Sequence, residues 1–303
     1  MKPWLLACLI LITGGVSPLV AAPPAPSSGL EVSKSESVMT MRVDGELVVD
    51  TEGRVTNHQI TSEVTPEIRA AIDKSIPQWR FEPVASEDGK AIPFKTLMRI
   101  TVVARQLTDG NYSAQIENVR FHDGKKPDYR AEAKEKGIEM VVRPRPKYPA
   151  LMLGNGVNGA ALVQILFTPE GDMQDAVVVQ SAMFNVRGDS QLLQQAVAQM
   201  EREALTSVRR TKVKFGPDID LSSPSQRSGA VMINFSMVGK ADDGETSRKA
   251  GQWRQEQRGP LRAAVWFDDK RDARIGISDM DGSEDLMSRY RPIAKPVSGV
   301  PVL

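Results

Sequence analysis

Residues able to carry chemistry are scarce in this chain. It has one cysteine, Cys8, and two histidines, His58 and His122. Cys8 sits inside the first apolar run, so the body holds neither a disulfide nor a thiol nucleophile. Two histidines without a body cysteine fall short of a typical structural zinc site, and no HExxH stretch is present. GxSxG, GxxxxGK[ST] and GxGxxG are absent too. Carboxylate pairs are always on offer among 38 acidic residues, and sequence alone does not position them. Asp279-Met280-Asp281-Gly282 fails as a calcium loop, because its glycine comes too early and the closing glutamate is missing. The expectation is a protein that is no enzyme and uses no metal or cofactor.

The frame that must position any other function is modular. At 303 residues the length suits about two domains. A balance of 39 basic against 38 acidic residues leaves no global field to steer nucleic acid, which is not an expected partner.

The N-terminus reads as an export signal. Lys2 precedes the apolar stretch Trp4 to Ile12, and Leu19-Val20-Ala21-Ala22 ends in small residues, so residues 1–22 are expected to be a signal peptide. Pro23 after the cut restricts the backbone that a protease binds, and an uncleaved inner-membrane anchor is the alternative. Leu5-Leu6-Ala7-Cys8 comes too early in the apolar run for a lipoprotein box. The expected location is the periplasm, or the inner membrane facing it. A Pro/Ser-rich spacer follows over residues 23–37.

Strand and helix signals then come in one order, twice. Val38 to Asp50 alternates apolar and polar residues, Thr51-Glu52-Gly53 turns the chain, and Val55 to Thr61 returns. Thr65-Pro66-Glu67 opens a helix with Ile68, Ile72 and Ile76 on its buried stripe. Trp79-Arg80-Phe81-Glu82-Pro83 follows, then a loop around Asp88-Gly89 and a strand from Thr96 to Ala104. The later copy runs from the strand Gly159 to Thr168, through Pro169-Glu170-Gly171, to the return strand Ala176 to Val179. A helix capped by Asp189-Ser190 reaches Val208, and a strand from Ala230 to Val238 closes the copy. The turns match at an offset of 118 (171 − 53), and Trp79 to Pro83 match Val213 to Pro217 at 134 (213 − 79). The second copy thus carries 16 extra residues (134 − 118). An internal duplication explains these matches better than chance.

Several motifs of the copies resemble the TonB C-terminal domain family. In that family a P-x-Y-P motif leads into a G-x-V strand, a D/E-G turn, a V-x-x-S strand, a helix and a W-x-F-x-P close. Pro146, Tyr148, Pro149, Gly171 and Val177-Val178-Val179-Gln180-Ser181 fit it in the second copy, with Phe215 and Pro217 at its close. Gly53, Trp79, Phe81 and Pro83 fit it in the first. The first copy lacks the Tyr-Pro opening, and the second has Val213 where the family has tryptophan. Trp79 and Phe81 are expected to be core residues anchoring helix to sheet, and Tyr148-Pro149 to fix chain entry.

The expected fold is therefore α+β. Two tandem β-β-α-β units with antiparallel sheets occupy residues 38–107 and 142–240, and residues 108–141 connect them. Tyr112 to Phe121 alternates as an extra strand would. Arg120 to Lys147 holds nine basic and five acidic residues and reads as a solvated linker. Residues 241–303 read as a charged, partly disordered tail, with Ala264 to Phe267 and Arg274 to Ser278 able to pair as a short hairpin.

The resemblance implies binding by strand addition, in which the N-terminal box of an outer-membrane receptor pairs beside the domain's sheet. The receiving strand would be Ala230, Val231, Met232, Ile233, Asn234, Phe235 and Ser236, or Thr96 to Val102 in the first copy, with proline at Ile233 removing one donor. The alternative is a structural envelope scaffold or homodimerisation module, its repeats covering each other's edges. No histidine stands in the apolar N-terminal segment, unlike the motor-coupled transducers of the family, which favours a binding protein linked to transport over a full transducer.

Overall fold

The computed structural model describes residues 35–122, 137–236, 249–262, 264, 266, 276–279 and 301. The signal segment, most of the spacer, the core of the connector, Met237-Val238, Asp281-Gly282 and most of the tail hairpin lie outside them. Residues 32–303 cluster as one compact unit. Among the described residues no helix is long and apolar enough to cross a membrane.

The first copy contains β1 (Glu36–Val49), β2 (Val55–Ile60), α1 (Pro66–Ser75), a short hairpin of β3 (Val84–Ala85) and β4 (Ala91–Ile92), β5 (Phe94–Gln106) and β6 (Tyr112–His122). Its alternating apolar residues pack beneath α1: Val43, Leu47, Met98, Ile100 and Val102 are fully buried, with Ile68, Ile72 and Ile76 above them. Thr65 holds the N-cap position, but its hydroxyl makes no capping bond, so Pro66 and Glu67 carry that helix start alone. Trp79 and Phe81 are core residues, as expected. Both meet Phe121 edge-on, at centroid distances of 5.8 and 4.8 Å.

In the second copy come β7 (Ile138–Val142), α2 (Ala150–Gly154), β8 (Gly159–Phe167), β9 (Met173–Phe184), α3 (Ser190–Val208), β10 (Lys212–Phe215) and β11 (Ser228–Phe235). Asp189 caps α3, accepting from the N–H groups of Gln191 and Leu192 at 2.9 and 3.1 Å. Val197, Met200, Ala204 and Val208 line the buried face of α3 over the sheet. β7 and β10 pair as a separate two-stranded sheet.

The turns of the two units match in geometry. Gly53 and Gly171 both adopt positive φ, 78° and 86°. The Gly53 carbonyl accepts from the Phe81 N–H at 2.8 Å, and the Gly171 carbonyl from the Val213 N–H at 2.9 Å. Neighbouring bridges join Arg54 to Arg80 and Asp172 to Lys212. Phe81 therefore matches Val213 at an offset of 132 (213 − 81), two less than the motif alignment suggests. Trp79 corresponds to Thr211, and Phe215 holds the place of Pro83. The second copy carries 14 extra residues (132 − 118) rather than 16.

Two expectations are corrected together. The sheets of the two copies are not separate, and the region 241–303 is not merely a tail. Trp253–Arg258 forms β12, which pairs antiparallel with β1 through Glu36 to Met41 and with β9 through Ala182 to Phe184. The result is one eight-stranded antiparallel sheet in the order β11-β8-β9-β12-β1-β5-β6, with β2 beside the far end of β1. Further along, Ile277–Asp279 forms a 3-10 turn, so the described part of the expected hairpin is not a strand.

The face of the first copy turned away from α1 is polar. Arg42 and Arg99 flank Asp44, at 2.7 and 3.2 Å. Burial opposes ionisation of Asp44, but the two guanidinium groups outweigh it and hold the carboxyl below its ordinary range. On the helix-bearing side, His58 bonds to Asp73 of α1 at 3.0 Å. His122 is half-buried, and burial, with Arg99, Arg120 and Arg42 nearby, lowers its pKa from 6.5 despite Asp44. The folded state thus prefers neutral His122, while the unfolded chain takes up a proton near the ordinary value of 6.5. Stability is expected to fall as pH drops through that value, until the depressed folded pKa is reached. Urea midpoints measured from pH 8 to 5 should decline less in His122→Gln than in the wild type; parallel declines would show that His122 does not contribute.

Candidate functional site

Two strands stand in the positions proposed to receive a partner, and their surroundings differ. β5 is closed on both sides, by β1 from Met39 to Val49 and by β6 from Tyr112 to His122. Among the described residues β11 has a partner on one side only, β8, and ends the sheet. Ser236 lies just past its last residue.

β11 forms because Val231, Ile233 and Phe235 alternate with Ala230, Met232 and Asn234. The first set enters the core shared with α3, and Ile233 and Phe235 are buried there. Ala230 and Met232 pack on the opposite face with Ala160, Leu162, Leu261 and Ile277. The strand is thus held from above and below, while no described residue pairs along its outer edge.

Register decides which backbone groups face that edge. The Phe167 N–H donates to the Arg227 carbonyl at 3.0 Å, so these two form a hydrogen-bonded pair. Pairing continues without a shift from Ser228 against Leu166 to Phe235 against Gly159. Hydrogen-bonded and open pairs alternate in an antiparallel ladder. Gly229, Val231, Ile233 and Phe235 therefore turn N–H and C=O toward β8, whereas Ser228, Ala230, Met232 and Asn234 turn theirs outward. Ile233 is the wrong place for a proline: it would break the ladder to β8 instead of removing an edge donor. The edge donors within the strand are Ser228, Ala230, Met232 and Asn234.

Exposed edges are usually blunted by charge, proline, irregularity or cover. β6, at the other end of the sheet, shows this: it carries Glu117, Arg120 and His122, its pairing with β5 shifts register at Thr101/Val102, and Pro301 bridges Gln115 on it. β2 is short and presents Thr56, Asn57, His58 and Gln59. β11 has no charge and no proline in its eight residues.

The motif residues of the second copy surround this strand. Tyr148 meets Phe235 edge-on at 6.2 Å, and its hydroxyl donates to the Val157 carbonyl at 2.7 Å, so Tyr148 with the buried Pro149 fixes chain entry. At the opposite end Phe215 meets Phe167 at 6.5 Å. Pro83, Pro146 and Pro217 are exposed.

Elsewhere the described surface has a cleft of about 450 Å³ where α2 and the start of α3 approach the end of β9. Arg187, Arg254 and Leu192 are among its walls, and no carboxylate or hydroxyl side chain lines it. Among the described residues no group of three or more His, Cys, Asp or Glu side chains converges on a metal-sized site. Sequence reasoning placed a strand over Ala230 to Ser236 but missed β12 and the closure of β5; the alternation in Tyr112 to Phe121 was the available signal for the latter. No protein-family model, curated protein or solved structure matches this chain.

Proposed function

We propose that this is an exported envelope protein that binds an extended segment of a protein partner by strand addition at β11, linked to TonB-dependent transport. One observation carries the reading: an uncharged, proline-free strand of eight residues ends a large sheet with its outer N–H and C=O groups unpaired among the described residues. Such an edge is an aggregation hazard unless something pairs with it. Main-chain hydrogen bonds from Ala230, Met232 and Asn234 would supply affinity, and alternate side chains of the guest the selectivity. The two β-β-α-β copies and the motifs around Tyr148 and Gly171 support a TonB C-terminal-like arrangement. The N-terminal box of an outer-membrane receptor is then the natural guest. Export rests on Lys2, the apolar stretch Trp4 to Ile12 and the small residues ending at Ala22.

The test is proline at an outward position. Met232→Pro and Ala230→Pro each remove an edge donor and leave the ladder to β8 intact, so both should fold. Each is expected to weaken binding of a receptor-box peptide at least about tenfold by fluorescence anisotropy, while circular dichroism stays unchanged. Wild-type affinity in both folded variants would overturn docking at β11. A concentration-dependent mass in ultracentrifugation, abolished by Met232→Pro, would assign the edge to a second copy of the chain instead.

A further inference from the structure

The face of β11 that looks toward the helices carries a feature the docking reading does not use. α3 packs mainly on β9 and β8, and the chain that precedes β8 also reaches the core that β11 enters. That chain starts at Ile138, which pairs with Phe215 near the beginning of β11. It ends at Tyr148, stacked on Phe235 at the end of β11. Ile138, Tyr148 and Phe215 pack against the core that holds Ile233 and Phe235. Residues 138–148 thus form a strap running along β11 in the same direction.

The strap has a regular charge pattern. Arg143, Arg145 and Lys147 recur at every second residue, all three are exposed, and none makes an ion pair among the described residues. Arg143 and Arg145 each precede a proline, and Pro144 and Pro146 fix their own φ, so this stretch is held extended. Alternate residues of a polyproline-like segment lie about 6.2 Å apart along its axis, against about 6.6 Å in a strand; its threefold period turns them to different sides, and the long, freely rotating Arg and Lys stems are what let all three reach one neighbouring strand. A strand paired with β11 would therefore bring its helix-side residues past the three cations nearly in step. The acids of this region, Glu139, Asp218 and Asp220, belong to the other end, where β11 begins.

We propose that the guest strand at β11 is acidic, with carboxylates at alternate positions facing Arg143, Arg145 and Lys147 toward the Phe235 end. This rests on the docking reading and names the chemistry of its partner. Exposed ion pairs are individually weak, but three in register select a partner and hasten encounter.

The test uses the full mature chain and short peptides alternating valine with glutamate, serine or lysine. The glutamate peptide should bind about tenfold tighter than the serine one at low salt, and the lysine peptide weakest. The preference should shrink as salt rises and vanish in the triple variant Arg143→Ser, Arg145→Ser, Lys147→Ser, whose thermal melt should match the wild type. Reversal at one position, Arg145→Glu, should narrow the gap between glutamate and lysine peptides without the other two changes. Equal affinity for glutamate and serine peptides, both lost in Met232→Pro, would overturn the acidic preference while leaving strand addition in place. A glutamate preference untouched by Met232→Pro and Ala230→Pro would overturn the strand-addition reading and this one with it. Binding of none of the peptides would do the same.

Discussion

Replacing Gly171 by alanine is expected to cost about 3 kcal/mol or more, and the same change at Gly53 a similar amount, whereas Gly110→Ala should cost only about 1 kcal/mol. All three glycines share a positive φ, at 86°, 78° and 86°. The left-handed backbone alone disfavours any L side chain by roughly 1–2 kcal/mol. What separates them is the space a Cβ would enter. At Gly171 it would stand 1.9 Å from the Val213 carbonyl oxygen, and at Gly53 2.0 Å from that of Phe81. At Gly110 nothing lies within 4 Å. The obstructing atoms are backbone, so no rotamer change relieves them. Relief requires breaking the Val213 N–H bond to Gly171 or the Phe81 N–H bond to Gly53, at 2.9 and 2.8 Å. Those bonds anchor a buried Val213 or Phe81 beneath the helix of each copy. Urea denaturation of the three variants checks the ranking. Equal losses would mean that the close approach does not matter and that the shared turn chemistry is local.

These glycines also show where sequence reading succeeds and where it slips. Each copy's strands, turn and helix were legible, because a half-buried strand alternates and the helix stripes at Ile68, Ile72 and Ile76 and at Val197, Met200 and Ala204 repeat with helical period. Aligning Trp79-x-Phe81 with Val213-x-Phe215 placed the closing motif two residues off. A shift of two preserves the side-chain face of a strand, so apolar pattern cannot detect it. Only the carbonyl partner of the turn glycine does. The choice between β5 and β11 was likewise out of reach, since both read as apolar strands. Their difference lies in whether a neighbour pairs alongside, which depends on where β6 folds back. β12 left no signal at all. Trp253-Arg254-Gln255-Glu256-Gln257-Arg258 has one apolar residue and no alternation, and its burial comes from partners about 200 residues earlier in the chain.

That polar strand is where the second large effect is expected. Glu256 is fully buried between the two copies' strands. Its Oε1 accepts from the Thr40 hydroxyl at 2.7 Å and from Arg254 Nη2 at 2.6 Å, and its Oε2 from Arg258 Nε at 3.1 Å and from the Ser278 hydroxyl. Arg258 is 2% exposed and also reaches Glu117 and Glu36, at 2.9 and 3.4 Å. Burial alone would lower the pKa of Arg258, and the carboxylates of Glu256 and Glu117 more than reverse it, so the guanidinium stays charged. Removing Glu256 leaves Arg258 with only Glu117 and Glu36 among the described residues and takes the acceptor from Thr40, Arg254 and Ser278; breaking a buried pair costs up to about 3–5 kcal/mol. Glu256→Ala is therefore expected to lose about that much in urea denaturation. Hydrogen exchange should place the loss at β12 and its pairing with β1 and β9. Glu256→Gln keeps the shape and one accepting oxygen, but withdraws the charge and turns an amide N–H toward donors, so it should fall between the wild type and alanine. The double variant Glu256→Leu, Arg258→Met removes both charges and should lose less than the sum of its single changes, because neither is then left unpaired. Glu256→Ala within about 1 kcal/mol of the wild type would mean that β12 is held by main-chain pairing alone. If the expected loss is found, the continuity of the sheet depends on an ionic clasp, and β12 completes the sheet that β11 ends among the described residues.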